Sequence, residues 1–187
     1  MSQKGLLVVI SGPSGVGKGT VCKEITKLSD KCKISVSKTT RKPRRGEVDG
    51  INYYFDTKEN FENLIKNDAL LEWAEFCGNY YGTPKAEVER LLADGFNVIL
   101  EIEVQGAMKV KRKCKDGVFI FVMPPSKEEL EKRLRGRGTE TDEAVLNRLS
   151  RALEEIKLAE EYDYHVINHE PVEAAKEILD IIDKESK

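Results

Sequence analysis

The junction at residues 6 to 20 constrains this chain more than any other stretch. There the apolar run Leu6-Leu-Val-Val-Ile10 meets Ser11-Gly-Pro-Ser-Gly-Val-Gly-Lys-Gly-Thr20. An unbroken apolar run of this length suits a strand buried on both faces of a parallel sheet, whereas a half-solvated strand alternates. Beyond the loop, Val21, Ile25 and Leu28 share one face at helical spacing, so residues 17 to 28 read as a helix. Glycines between a strand and a helix let the backbone curl until successive N–H groups point inward, next to the positive end of the helix. Gly12-x4-Gly17-Lys18 in that context is a phosphate-binding loop. It predicts a nucleoside triphosphate site built from Gly12, Pro13, Ser14, Gly15, Val16, Gly17, Lys18, Gly19 and Thr20. Lys18 supplies a point charge for the outer phosphates.

One position departs from the motif. A serine or threonine is expected directly after the lysine, where its hydroxyl ligates Mg²⁺. This chain has Gly19 there, and Thr20 lies about 100° further round the helix. Magnesium is therefore expected to be held mainly by phosphates and water, as that ion tolerates. Glu101 and Glu103, at the C-terminal end of a core strand, are the outer-sphere candidates, because that end of an open α/β sheet faces the ligand crevice.

Further apolar runs at Asn97–Ile102, Val118–Val122 and Tyr164–Ile167 read as strands. Helical stretches near 105–113, 126–135, 141–160 and 172–184 separate them. Strand alternating with helix predicts an α/β, doubly wound parallel sheet of the P-loop NTPase type, with helices on both faces. Residues 34 to 83 break the rhythm with short segments at Ser35–Ser37, Tyr53–Phe55, Leu70–Phe76 and Tyr80–Tyr81, around one helix near 57–66. They predict an inserted, strand-rich subdomain. Arg133-Leu-Arg-Gly-Arg-Gly138 is a glycine-loosened arginine cluster with the makings of a short helical lid. The expected division is a core of 1–33, 84–125 and 155–187, an insert of 34–83 and a lid of 126–154.

The net charge is -2, so no global basic field attracts nucleic acid or an anionic membrane. Leu6 to Ile10 is too short for a signal peptide or a membrane span, which predicts a cytoplasmic protein. The four cysteines lack CxxC spacing and read as free thiols, and His165 with His169 does not read as a zinc pair.

These stretches together resemble the guanylate kinase family almost end to end. The resemblance is carried by Ser35-Val-Ser-Lys-Thr-Thr-Arg41-Lys-Pro-Arg44-Arg-Gly-Glu-Val-Asp-Gly50 and Tyr53-Tyr-Phe. It continues through Leu71-Glu72-Trp73-Ala-Glu-Phe, Gly78-Asn-Tyr-Tyr81-Gly-Thr83, Ile99-Leu-Glu-Ile-Glu-Val-Gln-Gly106 and the arginine cluster. Two positions depart from the family's habit: Gly19, where many members carry serine, and Glu103, where aspartate is usual. The resemblance implies an ATP-dependent kinase acting on GMP, and on dGMP as well, with Mg²⁺ accompanying ATP. It implies a GMP-binding role for Ser37, Arg41, Arg44, Tyr53, Glu72, Tyr81, Thr83 and Glu103. Lys18, Arg133, Arg137 and Arg148 are the implied catalytic cations, and Asn168 matches a position near the adenine ring.

The residue chemistry agrees. Arginine forks and tyrosine hydroxyls suit a phosphate dianion. One carboxylate fits the adjacent N1–H and 2-amino donors of guanine, whereas adenine would leave it facing a lone pair, at a cost of about 1–3 kcal/mol. On spacing alone Glu72 also reads as a helix-surface acid. Monomer and homodimer both fit the sequence. Two rivals stand beside the kinase: a non-catalytic guanylate kinase-like binding module, and a P-loop kinase for another small phosphate ester.

Overall fold

The computed structural model describes residues 4–76, 78–136 and 141–186. In chain order its elements begin with β1 (Leu7–Ser11), α1 (Lys18–Leu28), β2 (Cys32–Ile34), β3 (Lys38–Thr39), β4 (Tyr54–Phe55) and α2 (Lys58–Lys66). Next come β5 (Leu70–Phe76), β6 (Asn79–Pro84), α3 (Lys85–Ala93), β7 (Asn97–Glu101) and α4 (Val104–Lys113). The chain closes with β8 (Val118–Met123), α5 (Lys127–Arg135), α6 (Asp142–Ile156), a 3₁₀ turn (Lys157–Glu161), β9 (Tyr164–Ile167) and α7 (Pro171–Glu185).

Five strands form a fully parallel sheet in the order β2-β7-β1-β8-β9. The apolar run of β1 has the reason expected of it, since alternate residues serve opposite faces. Val8 and Ile10 pack with Ile99, Ile120 and Val166 beneath α1 and α7. Leu7 and Val9 pack with Val98, Leu100, Phe119 and Phe121 beneath α3 and α4. Each such side chain removed from water contributes about 1.5–3 kcal/mol, so the central strands hold the two helical layers together. The loops at their carboxyl ends therefore stand on a rigid base.

A second sheet, in the order β4-β3-β6-β5, is formed by residues 38–84. Its strands are too short to bury much by themselves, so α2 covers one face. Phe61 of α2 is wholly buried and stacks on Tyr80 of β6, ring centroids 5.3 Å apart. Helices α5 and α6 pack through a small cluster of their own, Leu130, Leu134, Val145, Leu149 and Ala152. Among the described residues no helix is long and apolar enough to cross a membrane.

Some local expectations shift. Ser35–Ser37 is not a strand; the pairing residues are Lys38 and Thr39, while the Ser35 N–H prolongs the core edge by donating to the Ile99 carbonyl at 2.9 Å. Edge strand β2 escapes sequence reading because it is three residues long and polar in the middle. Helix α3 escapes it too, since it buries only Val88 and Leu92. The expected helix over 141–160 ends at Ile156 and tightens into the 3₁₀ turn.

Phe61→Ala removes the ring that closes the small sheet. The expected cost is about 3–5 kcal/mol, read from the midpoint of urea denaturation. A loss below about 1 kcal/mol would mean that this face collapses around the gap or does not depend on Phe61.

Candidate active site

The loop leaving β1 curls back on itself before α1 begins. Gly17, the cap of α1, adopts φ 94, and a Cβ there would come within 2.8 Å of Asn168 Nδ2, so only glycine fits. Lys18 opens the helix, is buried, and donates from Nζ to the Gly12 carbonyl at 2.6 Å. The N–H groups of Gly15, Gly17, Lys18 and Gly19 meet no acceptor among the described residues. A helix start with unspent donors beside a buried ammonium is an anion site.

The carbonyl of Val16 anchors this loop from outside. It accepts from Asn168 Nδ2 at 2.8 Å and from Arg133 Nη1 at 3.3 Å. Arg133 also bonds the Asn168 carbonyl at 3.1 Å and Glu129 at 3.1 Å, so α5 is already fastened to the loop. Arg148 of α6 donates to Ser14 Oγ at 2.8 Å, and Glu155 accepts from the Ser14 N–H at 3.4 Å. Nothing in the sequence pointed to Glu155, an acid on an amphipathic helix whose partner lies 141 residues away. Asn168 is almost wholly buried under the loop, and its amide N–H is engaged with Val16. Arg137 lies outside the described residues.

The unusual Gly19 faces Glu101. A Cβ built on it would stand 3.2 Å from Glu101 Oε1, so a side chain there would make this carboxylate give way by a few tenths of an ångström. Glu101 ends β7 with one side open to water, yet dense protein on its other sides raises its pKa, against the opposing pull of Lys18. Glu103 caps α4, is exposed, and adds to the rise in Glu101. Thr20 is exposed on the first turn of α1. No group of three or more His, Cys, Asp or Glu among the described residues is placed to hold a metal ion. The donor set is instead one carboxylate next to the anion loop. It fits a hard cation that keeps most of its waters and binds chiefly to phosphate oxygens.

Across the cleft, Glu72 sits in a β-bulge. Leu70 pairs with Pro84 and Trp73 with Gly82, leaving two residues of β5 opposite one of β6. Strand alternation is lost there, and Leu70, Leu71 and Glu72 are all buried in succession. Re-aiming a side chain is what a bulge does. Glu72 is thus a buried strand residue and not a helix-surface acid. Its Oε1 accepts from Thr83 Oγ1 at 2.8 Å, and its Oε2 lies 2.9 Å from where a Cβ on Gly106 would stand. Burial pushes its pKa up, and the Thr83 bond and Lys109 oppose the rise. The Thr83 hydroxyl thereby orients the carboxylate.

Arg41, Tyr53 and Tyr81 converge beside β3. The Arg41 guanidinium lies 5.4 Å over the Tyr53 ring, whose centroid is 6.1 Å from that of Tyr81. Glu47 and then Tyr81 hold Arg41 protonated. Glu47 is a further residue that sequence reading missed; it takes both Nη1 and Nη2 of Arg41, at 3.0 and 2.9 Å. The Arg44 side chain is exposed, and Ser37 is half-buried with its carbonyl accepting from the Tyr54 N–H at 2.9 Å.

Comparison with known proteins agrees with this geometry. The guanylate kinase family model matches residues 4–185. A guanylate kinase of Clostridioides difficile is 55% identical over 183 residues, covering 98% of this chain and 89% of the relative. One of Streptococcus pyogenes serotype M3 is 56% identical over 186 residues, covering 99% and 88%. The crystal structure of guanylate kinase from Anaplasma phagocytophilum superimposes with a TM-score of 0.79 at 35% identity, covering 99% of this chain and 88% of that one. On its sequence, its fold and the arrangement of its cleft, this chain belongs to the guanylate kinase family.

Proposed function

We propose that this protein transfers the γ-phosphoryl group of ATP to GMP, yielding ADP and GDP, and accepts dGMP by the same route. The observation that carries this reading is Glu72: a buried carboxylate, turned by a bulge, fixed by Thr83 and backed by Gly106. Two oxygens held in place match the paired N1–H and 2-amino donors of guanine. They would meet a lone pair on adenine. A site whose buried polar group is satisfied only by the right base discriminates strongly. Membership of the family supports the same activity.

In this reading residues 12–20 hold the ATP phosphates and residues 34–83 hold GMP, while 126–154 form the lid. Arg41, Arg44, Tyr53 and Tyr81 grip the acceptor phosphate. Lys18 leaves the Gly12 carbonyl for a phosphate oxygen, exchanging a neutral acceptor for a charged one. Arg133 and Arg148, already within reach of the loop, steady the charge on the moving phosphoryl group, and Arg137 is assigned the same role. Glu101 and Glu103 would hold Mg²⁺ through water, and the ion would supply charge neutralisation at the phosphates. The acceptor phosphate is itself the nucleophile and is largely dianionic near neutral pH, so no general base is needed. Catalysis then rests on alignment and electrostatics.

Glu72→Gln keeps the size of the side chain but removes its charge. KM for GMP should rise about 10- to 100-fold while KM for ATP changes little, measured by coupled ADP release. An unaltered preference for GMP over AMP in that variant would exclude Glu72 from base recognition. Lys18→Met should lower kcat by about a hundredfold or more while the protein still unfolds in one cooperative urea transition. Near-normal turnover would remove Lys18 from the reaction.

A further inference from the structure

Glu47 lies among the cations assigned to the acceptor phosphate, and its carboxylate takes three N–H donors. Arg41 Nη1 reaches Oε2 at 3.0 Å, Arg41 Nη2 reaches Oε1 at 2.9 Å, and the Arg44 backbone N–H reaches Oε2 at 2.7 Å. The Glu47 N–H returns to the Arg44 carbonyl at 3.0 Å. That closes a turn whose third residue, Gly46, has φ 88, as a type II turn requires. One side chain thus fastens the guanidinium and the backbone that carries the next arginine.

The donors of Arg41 divide accordingly. Its end-on face is filled by Glu47, and Nη1 also donates to the Lys42 carbonyl at 2.8 Å. Nε takes part in none of these bonds, Tyr81 also hydrogen-bonds the guanidinium, and Tyr53 and Phe55 hold its plane at 5.4 and 5.9 Å. Both side chains are partly exposed, at 14% and 19%, so water still reaches the pair and its geometry matters more than its shielding. Arg44, Arg45 and Lys42 are exposed around it, and the patch stays positive although one carboxylate is built in.

We propose that Glu47 is a positioning residue for the acceptor. It holds the end-on face of Arg41 and the turn bearing Arg44, so that the Nε edge of the guanidinium is presented to the phosphate of GMP. The proposal rests on the reading of Arg41 and Arg44 as the phosphate grip. The gain is preorganisation: a long side chain already fixed loses little freedom when the ligand arrives. The competing role is an internal phosphate mimic that GMP must evict. It fits less well, because leaving Arg41 would also break the bond to the Arg44 N–H and loosen the turn.

The test compares Glu47→Gln, Glu47→Asp and Arg41→Ala with the unaltered chain, using affinities for GMP and for guanosine, which lacks the phosphate, together with KM for ATP. Glu47→Gln should weaken GMP about tenfold and leave guanosine and ATP unchanged, the worth of one charge-assisted pair. Glu47→Asp should recover part of that loss. Tighter GMP binding by Glu47→Gln would establish eviction and overturn the positioning role. Equal losses for GMP and guanosine would mean collapse of the insert and also overturn it. If Arg41→Ala weakens GMP while Glu47→Gln does not, this inference alone fails. If Arg41→Ala leaves GMP unaffected, the reading of the phosphate grip fails first.

Discussion

Lys18, buried at the start of α1, donates to the carbonyl of Gly12, and the loop between them takes its shape around that bond. A buried ammonium is costly unless partners are close. Here it has a carbonyl in hand and the Glu101 carboxylate nearby. The curl leaves the N–H groups of Gly15, Gly17, Lys18 and Gly19 unspent among the described residues. An excess of donors of this kind is stable only if something else holds the backbone in place. Asn168 and Arg133 do so by converging on the Val16 carbonyl, and Arg148 with Glu155 does so at Ser14. The loop is therefore preset for an anion, and the helices packed over it are tied to it by the same side chains.

Three glutamates show how environment assigns work to one residue type. Glu47 is held below the usual carboxylate range by Arg41 and the Arg44 amide, and serves as a permanent counter-charge. Glu72 is pushed up by burial and kept oriented by Thr83, which suits a carboxylate awaiting donors from a base. Glu101 is raised by its surroundings while Lys18 pulls the other way, and it stands against Gly19. The missing hydroxyl after Lys18 is thus matched by a carboxylate that occupies the space in front of it. Cys22, buried below the same loop and pushed up by burial and then by Glu101, remains a neutral packing group.

Much of this was legible in the residues. The residues alone placed β1, β7 and β8, whose continuous apolar runs are buried on both faces of the sheet, and α1, which shows one apolar face at helical spacing. The loop was legible for the same reason, with glycine needs and a lysine at fixed spacing. Helix α3 and strand β2 were not, since the few apolar contacts that stabilise them come from residues far along the chain. Glu72 illustrates the limit well. The family resemblance tied it to guanine, but its burial depends on a bulge between β5 and β6, and a bulge is a property of pairing that no single strand shows. Glu47 and Glu155 were missed because their partners are backbone amides and arginines brought close only by a turn and by helix docking.

The central claim is that this cleft moves a phosphoryl group from ATP to a guanine monophosphate. It is tested most directly by incubating the protein with ATP and Mg²⁺ and one acceptor at a time, GMP, dGMP, AMP, UMP or dTMP, and quantifying each diphosphate formed. The account requires rapid GDP formation matched one for one by ADP, a product with dGMP, and little or none with AMP, UMP or dTMP. Tight nucleotide binding without any diphosphate, or AMP turnover equal to that of GMP, would contradict it.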